Sequence, residues 1–249
     1  MTAPLVPRQV LFGNPERVSP RISPDGRRLA WIAPDDGVLN VWVNQVGAEL
    51  EKAEAVTDDR DRGIHTFFWA HDNRHLLYIQ DVGGDEDWHL FSVDLQTGET
   101  QDVTPFEGVQ ARVDETDKRF PDTILVGVNK DNPQLHDVYR LDLKTGELEK
   151  IVANPGFIGF IADADFKVRA GLAPLPDGGM LLMVRDTEDD EWRELLQWGQ
   201  DDSLTTSPIA FTLDGAGMLM VSSVGANAGR LVKLDVATGE TTVIAEDPQ

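Results

Sequence analysis

Along the chain, apolar and polar residues alternate with period two around a sentence that occurs three times. It reads Asp94-Leu95-Gln96-Thr97-Gly98-Glu99, then Asp142-Leu143-Lys144-Thr145-Gly146-Glu147, then Asp235-Val236-Ala237-Thr238-Gly239-Glu240. Aligned on the Asp, the copies place Phe91, Tyr139 and Val232 three positions before it and Val93, Leu141 and Leu234 one before it. Leu95, Leu143 and Val236 follow it, while the position two before holds Ser92, Arg140 and Lys233. Such alternation belongs to a half-buried strand and not to a helix face. The Thr-Gly supplies a residue able to take a positive φ, so each copy reads strand, hairpin turn, strand.

Spacing turns this local pattern into a fold. The first two copies start 48 residues apart and the third 93 later, close to two further periods with one copy missing. A second signature, a turn followed by an aliphatic strand, recurs independently. It appears at Ser23-Pro24-Asp25-Gly26 before Arg28 to Ala33, and at Ala70-His71-Asp72-Asn73 before Leu76 to Ile79. Phe120-Pro121-Asp122, Pro176-Asp177-Gly178 and Leu213-Asp214-Gly215 precede three more strands, and from Asp25 to Asp214 the mean interval is about 47 residues. Strand-rich repeats of that length predict an all-β chain, a β-propeller with about five four-stranded blades. The blades fall at roughly 19–64, 65–109, 110–158, 159–207 and 208–249, and the fourth has lost its Thr-Gly-Glu turn. Residues 1–18 carry Pro4, Pro7 and Pro15 around Arg8 to Phe12, a lead-in segment with room for one short helical turn.

Composition narrows the partners. With 44 acidic and 22 basic residues the net charge is −22, which repels phosphate backbones and anionic lipid, so nucleic acid and membrane partners are not expected. Hydrophobic content of 41% suffices for a core, and the absence of Cys excludes disulfides and thiolate metal or redox sites. Apolar runs are too short for a membrane span and the N-terminus lacks a signal-peptide pattern, so a cytoplasmic location is the expectation.

More specific strings accompany the repeats. They are Gly84-Asp85-Glu86-Asp87-Trp88-His89-Leu90-Phe91 with Thr104-Pro105-Phe106-Glu107-Gly108-Val109, Leu135-His136-Asp137-Val138-Tyr139-Arg140-Leu141-Asp142, and Pro15-Glu16-Arg17 leading into Pro20 to Gly26. Together they resemble the N-terminal β-propeller of prolyl oligopeptidase family serine peptidases, the acylaminoacyl peptidase-like branch. That resemblance implies a propeller, usually of seven blades, capping an α/β-hydrolase domain that follows it and cleaves short peptides.

The chain itself holds no Gly-x-Ser-x-Gly elbow, the small-residue turn that such a nucleophile needs. Ser222 and Ser223 lie at the end of a repeat strand without the first Gly, so no catalytic residue is assigned. His65, His71 and His75 sit in strand and turn sequence, where the i,i+4 spacing of the last two does not put them on one face; structural roles are expected, with no metal and no cofactor. Asp81, Asp85, Glu86 and Asp87 form an acidic turn that fails the register of a calcium loop and reads first as a solvated turn. Trp31, Trp42, Phe67, Trp69, Trp88 and Phe91 fall in strand patterns and read first as core. The resemblance adds a functional alternative: some relatives use propeller acids to read a peptide's amino terminus, which makes Glu86, Asp87 and Trp88 the candidate substrate-binding residues.

The chain is therefore expected to gate and select short peptides for a hydrolase domain absent from it, and to be inactive alone. The alternative is a stand-alone TolB-like propeller that binds a protein or peptide. Self-association through unpaired blade faces is a further expectation, because each repeat buries its apolar surface against its neighbours.

Overall fold

The computed structural model describes residues 5–247; Pro4 and the last two residues lie outside them. A single helical turn, α1 (Arg8–Phe12), precedes twenty strands arranged as five four-stranded antiparallel sheets. The first sheet contains β1 (Val18–Ile22), β2 (Arg28–Asp35), β3 (Val38–Gln45) and β4 (Glu54–Ala55). The second contains β5 (Phe67–Trp69), β6 (His75–Gln80), β7 (His89–Asp94) and β8 (Thr100–Asp102). The third contains β9 (Ala111–Thr116), β10 (Thr123–Asn132), β11 (Leu135–Asp142) and β12 (Leu148–Val152). The fourth runs through β13 (Gly159–Ala162), β14 (Val168–Pro174), β15 (Met180–Val184) and β16 (Arg193–Trp198), and the fifth through β17 (Ser207–Phe211), β18 (Gly217–Ser222), β19 (Arg230–Asp235) and β20 (Thr241–Ala245). In every sheet the strand order follows the chain. Five meanders of this kind bear out the expected propeller blades.

Two compact units divide the chain: residues up to Lys130 with Tyr139–Glu149, and Asp131–Val138 with Lys150 onward. In the first unit, Leu76, Tyr78, Phe67 and Val93 of the second sheet pack with Ala30, Ile32 and Val41 of the first. The alternate side chains Leu77 and Leu90 pack instead with Ile124, Val126 and Leu141 of the third. The middle sheet is thus covered on both faces, each fully buried aliphatic contributing about 1.5–3 kcal/mol relative to exposure. This is why Ser92, placed by alternation on an outward face, is buried. Trp31, Phe67 and Trp69 are buried as expected, whereas Trp42, Trp88 and Phe91 are only half-buried. In the second unit, Leu182, Val184 and Trp198 meet Met218, Met220, Val232 and Leu234 in one core.

The repeated sentence folds the same way three times. Asp94, Asp142 and Asp235 accept through Oδ1 from the backbone N–H two residues on, at 2.8, 2.8 and 3.0 Å. The glycine N–H donates back to the Asp carbonyl at 2.7, 2.8 and 2.9 Å, with φ of 78°, 71° and 76°. The Glu N–H donates to the Thr Oγ1 at 3.2 Å in each copy. Ring-closing carboxylates of this type are held ionised. Two hydrogen bonds from Arg74 place Asp94 well below the ordinary carboxylate range, and the Thr145 and Thr238 backbone N–H groups lower Asp142 and Asp235.

Glycine is required where φ is positive. Gly98→Ala and Gly146→Ala should each destabilise the fold by about 1–2 kcal/mol, the cost of a Cβ in the left-handed region, read as a lower urea midpoint. At position 146 a Cβ would also lie 2.9 Å from Gln101 Nε2, so the second substitution should cost at least as much as the first. For Asp94 the folded pKa is depressed, so its contribution is present above the unfolded value of about 3.9 and is lost as pH falls below it. Asp94→Asn should lower the urea midpoint near neutral pH and flatten its fall on acidification; an acid limb as steep as that of the parent chain would contradict the assignment.

Candidate functional site

The candidate residues lie in the loop 81–88, between β6 and β7. Gly83, Gly84 and Glu86 all take positive φ, at 62°, 85° and 63°, and fold the loop back on itself. Asp85 clamps it, its Oδ1 accepting from the Val82 N–H at 3.2 Å and the Asp87 N–H at 3.1 Å. Gly84 allows close approach, because a Cβ there would lie 2.8 Å from Arg62 Nη1. Glu86 is exposed, and its carbonyl accepts from Gln110 Nε2 at 3.2 Å. Asp87 and Trp88 are half-buried.

Asp81 departs from the expected solvated turn. It is 4% exposed, and its Oδ2 accepts from Arg62 Nη2 and from the Glu86 N–H, each at 3.4 Å. Among the described residues its Oδ1 meets no donor. Asp81 and Trp88 line a cavity of about 230 Å³ together with Arg62, His65, Thr66, Ile79 and Gln80. A smaller space of about 130 Å³ touches Asp81 beside Asp59, Asp61 and Phe91. The structure thus brings Trp88 into a cavity with an acid, and that acid is Asp81; Glu86 and Asp87 line neither space.

The other polar groups fall into scaffold. His75 Nδ1 stands 2.5 Å from Asp72 Oδ2, while Asp72 Oδ1 accepts from the Arg74 and His75 N–H groups at 2.9 Å. This is a capped turn, and it borders a cleft of about 540 Å³ walled by the Thr97 and Thr145 turns. His89 Nδ1 likewise lies 2.6 Å from Asp102 Oδ2. No three His, Cys, Asp or Glu among the described residues are grouped to hold a metal. Ser223 Oγ is 2.6 Å from Asp202 Oδ1 and 2.6 Å from Thr205 Oγ1, a hydroxyl cluster whose members include no imidazole.

Two charged side chains, Arg185 buried and Asp114 nearly so, gave no warning in the sequence. Asp114 on β9 pairs with Arg112 Nε at 2.8 Å while its Oδ2 has no partner, and burial raises its pKa. Arg185 donates to the Val168 carbonyl at 2.9 Å and lies over Trp192, 4.5 Å from the ring centroid, and burial lowers its pKa.

The fold defines a β-propeller. By sequence the chain is similar to two dipeptidyl peptidases: it is 43% identical over 244 residues to dipeptidyl aminopeptidase BIII of Pseudoxanthomonas mexicana, covering 98% of this chain and 35% of that protein. It is 30% identical over 243 residues to dipeptidyl peptidase family member 6 of Caenorhabditis elegans, covering 92% of this chain and 32% of that one. The chain spans about a third of the length of the curated relatives it matches. No family model matches it. Among solved structures, a prolyl endopeptidase superposes with a TM-score of 0.63 at 14% identity, over 93% of this chain and 35% of that one. TolB of Acinetobacter baumannii gives 0.52 at 16%, over 93% and 55%. At those identities the structural likeness speaks for the fold alone, and the two sequence relatives carry the peptidase connection that the motif strings implied.

Proposed function

We propose that this chain is the substrate-gating propeller of a serine peptidase of the prolyl oligopeptidase kind, working with an α/β-hydrolase domain that it does not contain. The observation that carries the reading is the 43% identity to a dipeptidyl aminopeptidase over 98% of this chain, together with a sequence that has no nucleophile elbow. The physical role is exclusion. Within each compact unit, sheets packed face to face would form a wall that passes short flexible peptides and turns away folded chains. Selection within that wall falls to residues 81–88, where Glu86 is exposed, Asp87 is half-buried and Trp88 adds an aromatic side chain. TolB-like partner binding shares the fold, but both sequence relatives favour the peptidase reading.

Purified 1–249 should leave dipeptide and acylated chromogenic substrates intact, and measurable hydrolysis would overturn the non-catalytic assignment. In a full-length peptidase carrying this propeller, Glu86→Gln with Asp87→Asn should raise KM for peptides with a free amino terminus while sparing acylated ones. An unchanged KM removes those two residues from selection.

A further inference from the structure

We propose that the cavity between Asp81 and Trp88 binds a cation carried on an alkyl stem, the side-chain ammonium or guanidinium of a basic residue in a peptide. Four observations carry this. First, Asp81 is a buried carboxylate used far below its capacity: a carboxylate offers about four acceptor sites, and this one receives two contacts, both 3.4 Å long and both on Oδ2. Charge-assisted hydrogen bonds ordinarily close to about 2.7–2.9 Å. Elsewhere in the same unit Asp94 shows what a full pairing looks like, held by Arg74 Nε at 2.9 Å and Nη2 at 2.5 Å.

Second, the walls leading to Asp81 suit a methylene stem. Trp88, Ile79 and Thr66 line the same space of about 230 Å³. Long basic side chains bury their stems on apolar surface and present only the tip to a polar partner, and an indole face attracts a cation as well. Third, the surroundings are acidic. Asp59, Asp61 and Asp85 lie in the two segments that enclose Asp81, and the basic groups facing the cavity are Arg62 and His65. Fourth, Arg62 competes for the carboxylate but is held loosely. Its side chain is 47% exposed and its one contact is a long one on Oδ2, so a cation arriving from solvent can take the open Oδ1 and draw the carboxylate's charge away from Arg62.

This inference rests on the peptide-selecting reading for the source of its ligand. It assigns the charge recognition to a different acid and a different part of the peptide, so the two fail separately. The probes are Nα-acetyl-lysine N-methylamide, which has a stem-borne ammonium and no free amino terminus, and alanine N-methylamide, which has only an α-ammonium. Binding to purified 1–249 is followed by the ¹H–¹⁵N resonance of the Trp88 indole, assigned by its loss in Trp88→Phe. The lysine probe should shift that resonance saturably and more tightly than the alanine probe. Asp81→Asn should weaken the lysine probe by more than about tenfold, as removal of a buried charge partner does. Arg62→Gln removes the competitor and should tighten it, which keeps the test decisive if Asp81→Asn fails to fold. No saturable shift, binding unaffected by Asp81→Asn, or Arg62→Gln binding no tighter than the parent chain would each overturn the proposal. Saturation by the alanine probe alone would overturn it in favour of an amino-terminus site, and would leave the gating role intact.

Discussion

The constraint on which the structure depends is that a four-stranded sheet of this length cannot bury its own apolar side chains. Each needs a neighbour's face, and period-two alternation gives each sheet two faces to offer. The second sheet shows the consequence most fully: Leu76 and Tyr78 go to one neighbour, Leu77 and Leu90 to the other. Hydrophobic contact is non-directional, so it does not by itself fix how far one sheet slides on the next. Polar clasps between turns do. In the first unit Arg28 Nη1 donates to the Asn73 carbonyl at 3.3 Å, and Trp69 Nε1 donates to the Arg21 carbonyl at 3.1 Å. In the second unit Arg169 Nη1 donates to the Gly215 carbonyl at 3.4 Å. Asn73 and Gly215 occupy equivalent places in their turns, and both have positive φ, at 60° and 67°. Arginine contacts across 45 and 46 residues thus place the same kind of clasp once in each unit.

This explains why the fold was so legible. A strand's alternation, an Asx-closed turn and a left-handed glycine are decided within about six residues, and the same Asp-x-x-Thr-Gly-Glu pattern occurs three times. The recurrence of Asp94, Asp142 and Asp235 reflects scaffold chemistry: each carboxylate is occupied in closing its turn, and the three hydrogen bonds shared by all copies account for the motif without a ligand. What alternation could not supply was the number of neighbours. Ser92 looked outward because its strand was read as having one covered face, and it is buried because the sheet has two.

The site was legible only in outline. A run of Asp85, Glu86 and Asp87 after two glycines marks a loop with unusual backbone, and Trp88 beside it marks an aromatic surface. Which acid points inward depends on tertiary partners, here Arg62 from another segment, and Asp81 stood at a strand end where the sequence gives no cue. Asp114 and Arg185 escaped for the same reason. An Asp in a strand and an Arg after one are ordinary surface residues until a neighbouring layer covers them.

The net charge of −22 takes on a different meaning once its parts are separated. Many of the acids are engaged locally: the turn aspartates cap backbone N–H groups, and Asp122 and Asp131 hold Lys144 and Lys150 at 2.5 and 2.6 Å. Such groups set the long-range field without offering a site, and that field concentrates cations near the surface. Selection then requires a carboxylate removed from water, so that attraction is less screened, and incompletely occupied, so that a ligand gains a bond the protein does not already make. Asp81, 4% exposed and with both of its contacts on Oδ2, comes nearer to meeting both conditions than the exposed Glu86 does. The acids of this chain therefore divide between carboxylates engaged locally, which shape a diffuse field, and one, Asp81, whose own donors all reach Oδ2.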